Sequence, residues 1–162
     1  MVIKTALIPY HTFSSDLFSA SVYLAHQKTT IDMSVLGITV NTLQLPKTYQ
    51  ILKEQLPSIL ASKCFNDKGL PFRKEVYNTE IGHLFEHIML EYLCDLKSEQ
   101  GFSQVEYRGV TDWNWKVDEM GTFHISINSG IEDKNIIKGA FEKSIQLIRI
   151  ILRSNTHYKS RN

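Results

Sequence analysis

The stretch from Thr79 to Leu93 constrains the fold of this chain more than any other, because its residues follow helical spacing on two faces. One face is an apolar stripe typical of a buried helix side, made of Ile81, Leu84, Phe85, Ile88 and Tyr92. His83 and His87 are four residues apart and therefore lie on a different face, one turn above the other. The sequence predicts a helix over about 79–96 that packs on one side and lines a cleft on the other.

The second face has the residue types of a metal site. Two imidazoles at this spacing can bind one divalent ion, Zn²⁺ or another, and the order H-x-x-E-H is that of the inverted zinc peptidases. We expect Glu86 to be the general base that takes a proton from water. A catalytic zinc ion takes about three protein ligands. Glu91, two turns from His83, is either the third ligand or a residue that orients a ligand.

Other elements also offer residues for the third position, and the sequence does not decide among them. These are His124, Glu132, Asp133 and, on the last helix, Glu142. Arg108 could bind a substrate carboxylate, although a lone arginine is more often a surface residue. The histidines themselves could be structural residues, hydrogen-bonded where two helices pack. Cys94 is favoured as a small core residue, and Trp113 and Trp115 as one apolar face of a strand.

Composition narrows the class of protein. The chain has 162 residues, 43% hydrophobic and 22% charged, which fits one globular domain over 1–162. A net charge of +1 gives no global field for nucleic acid or an anionic membrane. With two cysteines, no CxxC and no signal-like start, we expect reduced thiols and a cytoplasmic protein. The oligomeric state stays open, and a homo-oligomer is compatible with the sequence.

The remaining segments predict an α+β fold, a mostly antiparallel sheet with helices packed on one face. Runs of Val, Ile, Thr and aromatic residues indicate strands at 2–8, 17–26, 105–108, 113–117 and 122–127, with one or two more within 31–45. Helices are predicted from Pro46, over 58–61 and over 134–153, with a loop over 64–73 and a frayed tail over 154–162.

The central segment also resembles a known family. The run LPSILASKCFNDKGLPFRKEVYNTEIGHLFEHIMLEY is similar to the amino-terminal domain of cyanophycin synthetases. That family pattern has a leucine-proline helix, a cysteine before a glycine loop, and a GH-x-x-EH helix followed by LE. The stretches VEYRGVTDW and GTFHISIN resemble its later segments, so the resemblance covers about 45–152.

The resemblance implies a metallopeptidase-like module, distantly similar to pitrilysin peptidases and S-ribosylhomocysteinase. In the family this domain accompanies two ATP-dependent ligase domains, and its implied role is to hydrolyse the aspartate-arginine polymer into primers. This chain has no segment that resembles a ligase domain, and Asn128 stands where an acidic residue is expected. Two functions follow as expectations: a metal-dependent hydrolase of peptide or isopeptide bonds, or a catalytically silent module that binds a peptide or a partner protein.

Overall fold

The structure, a computed structural model, describes residues 7–37, 39–62, 64 and 69–156. Its strands are β1 (His11–Ser14), β2 (Phe18–Leu24), β3 (Thr29–Val35), β4 (Gly109–Asp112) and β5 (Thr122–Ile127). Its α-helices are α1 (Thr48–Gln55), α2 (Phe72–Glu75), α3 (Ile81–Glu99) and α4 (Lys134–Thr156). Short 3₁₀ turns cover Thr42–Gln44, Pro57–Ala61 and Ile131–Asp133. The predicted α+β class is confirmed.

The five strands form one antiparallel sheet in the order β1-β2-β3-β5-β4. Apolar residues alternate with polar ones along the inner strands, so Ile31 and its cross-strand partner Ile125 are buried while Asp32 and its partner His124 are exposed. Because side chains alternate across a sheet, one face is apolar and the other polar. The apolar face joins the helices in a single hydrophobic core.

Helix α3 crosses the apolar face of the sheet in close contact. A Cβ atom added to Gly82 would lie 2.2 Å from Phe123 Cγ on β5, so only a glycine allows the helix to approach this near. Helix α4 packs against α3 and supplies buried Ile137, Phe141 and Ile148 to the core. The predicted stripe of α3 is fully buried except for Tyr92, which is half-buried. Among the described residues, no helix is long and apolar enough to cross a membrane.

Two strand predictions need correction. The strands predicted at 105–108 and 113–117 are wrong, because the strand of this region is β4, which lies between them. The segment after β4 turns instead, with the amide groups of Val117 and Asp118 both donating to the carbonyl of Asn114. Within 31–45 the described residues form one strand, the lower of the two predicted numbers, and Gly37, with a positive φ of 89°, lies just after it as the predicted break.

The remaining boundaries differ by less. Strand β1 was not predicted, and α2 lies partly within the predicted loop over 64–73. Most of the strand predicted at 2–8 lies outside the described residues, and positions 7 and 8 are not in a strand. Helix α3 runs three residues beyond its predicted end, and α1 begins two residues after Pro46.

Candidate metal centre

His83 and His87 lie together on one face of α3, as predicted. Their ring centroids are 4.7 Å apart, with the rings nearly perpendicular. Cys64, which follows the turn Pro57–Ala61, places its Sγ atom 3.5 Å from His83 Nε2. One ligand atom from each of these three residues lies within 4.8 Å of the other two. The structure therefore brings a thiol to the two imidazoles that the sequence had paired.

This donor set suits a zinc-like ion. Zinc binds thiolate sulfur at about 2.3 Å and imidazole nitrogen at about 2.0–2.1 Å in tetrahedral geometry. Two such ligands are then separated by about 3.5 Å, which is the distance from Cys64 Sγ to His83 Nε2. A site of one sulfur and two nitrogen ligands also favours zinc, because calcium and magnesium prefer oxygen ligands. Three protein ligands leave the fourth tetrahedral position to a water molecule or a substrate.

His83 is oriented by two residues on its other side. Thr79 Oγ1 lies 2.7 Å from His83 Nδ1, and Glu75 Oε1 lies 3.9 Å from the same nitrogen. The N-cap position of α3 is occupied by Glu80, which makes no side-chain capping bond. Contacts of this kind on the non-ligating nitrogen of a histidine fix its ring orientation.

His87 is held by stacking and burial. Its ring stacks on Phe72 with centroids 4.1 Å apart, and its Nδ1 lies 3.5 Å from Ser62 Oγ. Burial lowers the pKa of His87 to about 3, and repulsion from His83 adds to the effect. Burial likewise lowers the pKa of His83, against an opposing attraction from Glu80. Both imidazoles are thus favoured in the neutral form, which is the form that binds a metal.

Glu86 leaves the same helix in a different direction and contacts β4. It is 5% exposed, and its Oε2 accepts a hydrogen bond of 2.5 Å from Thr111 Oγ1. Burial raises the pKa of Glu86 to about 7, with the Thr111 hydrogen bond lowering it and the charge of Asp112 raising it further. A carboxyl group with a pKa near the working pH is suited to general acid-base catalysis.

The other predicted ligands have different partners. Glu91 is half-buried on α3 one turn beyond His87 and is not part of the Cys64 cluster, so its place as third ligand stays a prediction. His124 bonds Asp32 and Asp118 on the polar face of the sheet. Glu142 pairs with His11. Asp133 bonds Lys97, Tyr107 and Ser129, and Ser129 also bonds Glu132.

Arg108 lies immediately before β4 and is 75% exposed, with an ion pair to Glu106 of 3.1 Å. Its backbone N–H donates to Asn128 Oδ1 at 2.8 Å. The side chain of Asn128, at the position where the family pattern expects an acid, therefore links the residue after β5 to the residue before β4. Arg108 borders a groove of about 340 Å³ together with Gln27, Lys28, Val110, Ser126 and Asn128. Substrate binding by Arg108 stays a prediction.

No family model matches this chain, and no curated protein matches it. The chemistry of this chain therefore follows from the residues of the centre alone. Six residues in or beside the centre are not predicted from the sequence as parts of it: Cys64, Ser62, Phe72, Glu75, Thr79 and Thr111. For Cys64 the sequence carries one signal, its place ahead of the glycine loop in the family pattern, but the sequence predicts only a reduced thiol there.

Proposed function

We propose that this protein is a metal-dependent hydrolase of peptide or isopeptide bonds, related to the amino-terminal domain of cyanophycin synthetases. The observation that carries the proposal is that the helix which brings His83 and His87 to Cys64 also carries the buried carboxyl group of Glu86. Structural histidines need no neighbouring thiol and no buried acid with a pKa raised to about 7.

Each residue of the candidate centre has its own role in the proposed reaction. Cys64, His83 and His87 would hold the ion, which when bound activates water and polarises a carbonyl group. Glu86 accepts the proton of the attacking water and returns it to the leaving amine, so that one water molecule is consumed and an acid and an amine are released. Thr79 and Phe72 hold the two imidazoles in place. A reducing, cytoplasmic setting suits this chemistry because it keeps the Cys64 thiol available.

The test is the variant Glu86→Gln, which keeps the shape of the side chain and removes the base. We expect zinc content equal to that of the parent and a loss of turnover of about 10²–10⁴-fold on aspartate-arginine peptides or another cleaved peptide. Glu99→Gln is the matched control, since it makes the same change at an exposed position of the same helix. Equal turnover by Glu86→Gln and the parent contradicts the assignment of the base. A zinc-loaded parent that cleaves nothing across a broad peptide set favours the binding module instead.

A further inference from the structure

We propose that Gly109 and Thr111 of β4 are positioning residues that give different tasks to the two carboxylate oxygens of Glu86. In this assignment Oε2 is the anchored oxygen and Oε1 is the oxygen that exchanges protons with water. The inference rests on the proposed function and deepens it, because it names which atom of Glu86 acts and what holds that atom in place.

The two β4 residues face the helix together. Gly109 pairs with Ile127 and Thr111 pairs with Ile125, and both isoleucines are buried on the apolar face of the sheet. Since side chains alternate along a strand, Gly109 and Thr111 point to that same face, while Val110 between them is exposed. The edge strand β4 thus presents one hydroxyl group and one position without a side chain to α3.

Thr111 anchors one oxygen. A hydroxyl group has a single proton to donate, and the Thr111 Oγ1 proton goes to Glu86 Oε2 over 2.5 Å. A β-branched side chain is also stiff at χ1, so the hydroxyl of Thr111 keeps its direction better than that of a serine. The Oε2 atom is therefore committed to β4.

Gly109 leaves space for the rest of the carboxylate. A Cβ atom added there would lie 2.8 Å from Glu86 Cγ and 3.0 Å from both Cδ and Oε1. Distances of this size are too short for ordinary contacts, so any side chain at position 109 would push the carboxylate away from the strand. The absence of a side chain allows Oε1 to lie against the β4 backbone.

The second oxygen is left available. Within the described residues Oε1 has no hydrogen-bond partner. In the same part of the chain, Arg149 Nε is the one side-chain nitrogen or oxygen that is both fully buried and without a hydrogen-bond partner. Since Glu86 Oε1 also has no partner, it is not fully buried and reaches solvent. A base that is fixed through one oxygen and open to water through the other has its proton-accepting atom in a defined place. Misplacing such an atom by about 1 Å can cost about 10²-fold in rate.

The experiment compares two variants of the zinc-loaded protein on any peptide that the parent cleaves. Thr111→Val keeps the shape and removes the hydroxyl, and Thr111→Ser keeps the hydroxyl. We expect Thr111→Val to lower kcat by about 10–10²-fold with KM within about threefold of the parent, because the lost interaction acts on the chemical step. Thr111→Ser is expected to stay within about threefold of the parent. Zinc content should be unchanged in both.

Two further measurements separate orientation from general damage. Thr30→Val is the matched control, since it makes the same change on the opposite face of the same sheet and should leave kcat unchanged. Crystal structures should show the Glu86 carboxylate displaced in Thr111→Val and in place in Thr111→Ser. Parental kcat in Thr111→Val, or an undisplaced carboxylate, overturns this inference while the proposed function stands. A parent that cleaves no peptide counts against the proposed function and removes the task assigned to Oε1 with it.

Discussion

Thr79 Oγ1 lies 2.7 Å from His83 Nδ1, so this hydroxyl orients a histidine of the candidate metal centre. The backbone of Thr79 is itself fixed, because its N–H donates to Thr42 Oγ1 at 2.9 Å and its carbonyl accepts from the N–H of Thr42 at 2.8 Å. The helix start is thereby tied to the turn Thr42–Gln44. The position of His83 depends on this connection as well as on the helix.

Replacing Thr79 should weaken the metal site without emptying it. We expect Thr79→Ala to lower zinc affinity by about 10–100-fold, the usual effect of removing a group that orients a histidine ligand. Thr79→Ser keeps the hydroxyl and should bind zinc nearly as the parent does. Competition titration against a chromophoric chelator measures both. Equal affinities for the parent and Thr79→Ala would mean that the hydroxyl does not support His83.

Assigning the third metal ligand to Cys64 or to Glu91 leads to opposite expectations for zinc binding. If Cys64 is the ligand, Cys64→Ala should lower zinc affinity by more than the about 10–100-fold of an orienting group, and Glu91→Gln should leave it nearly unchanged. Cobalt-loaded parent should also show a thiolate-to-metal absorption band that Cys64→Ala lacks. A large loss in Glu91→Gln together with an intact Cys64→Ala would assign the position to Glu91.

The histidine pair could be predicted from the sequence because it depends on helix geometry alone. Four residues on a helix bring His83 and His87 together whatever the rest of the chain does. Cys64 lies 19 positions before His83, and its approach depends on how the turn Pro57–Ala61 packs against α3, which no local pattern encodes. The stripe of α3 was predicted correctly for the same local reason as the histidines.

Strand β4 shows where local pattern misleads. Trp113 and Trp115 alternate as strand residues do, but they lie in the segment after β4, where the chain leaves the sheet and turns, and both rings pack on Phe123. Tertiary packing of large aromatic rings thus imitates the two-residue period of a strand. The true strand, Gly109–Asp112, begins with a glycine and is weakly patterned, since the close approach of Glu86 excludes a side chain there. The glycine that the position of Glu86 requires therefore makes β4 hard to predict from the sequence.

Two helix glycines give a matched test of packing. A Cβ atom at Gly82 would meet Phe123 Cγ at 2.2 Å, whereas one at Gly139 would meet only the end of Leu96 at 3.2 Å. We expect Gly82→Ala to lower the free energy of unfolding by about 1–3 kcal/mol through overpacking. Gly139→Ala should change it by less than about 1 kcal/mol, since the gain in helix propensity offsets a small adjustment of Leu96. Urea unfolding of both variants checks the difference, and equal stabilities would contradict it.

Asp133 joins the two long helices at a buried position. Its side chain is 7% exposed and accepts hydrogen bonds from Lys97 Nζ at 2.8 Å, Tyr107 Oη at 2.9 Å and Ser129 Oγ at 2.6 Å. Burial by itself raises the pKa of Asp133, but the three donors outweigh it, so the pKa lies below its ordinary value. Lys97 belongs to α3 and Asp133 leads into α4, so this carboxylate links them.

Acid should therefore remove the contribution of Asp133. Because its pKa is lower in the folded protein than the about 3.9 of an unfolded aspartate, the stabilisation is fully present above that value and is lost as the pH falls through the folded pKa. We expect Asp133→Asn to cost about 1–3 kcal/mol at pH 7, where Lys97 loses its charged partner, and to differ less from the parent at pH 3. Urea unfolding at both pH values measures the two differences, with the exposed Glu99→Gln as the charge-matched control. A cost that is the same at pH 3 and pH 7 would show that the hydrogen bonds of Asp133, and not its charge, connect α3 to α4.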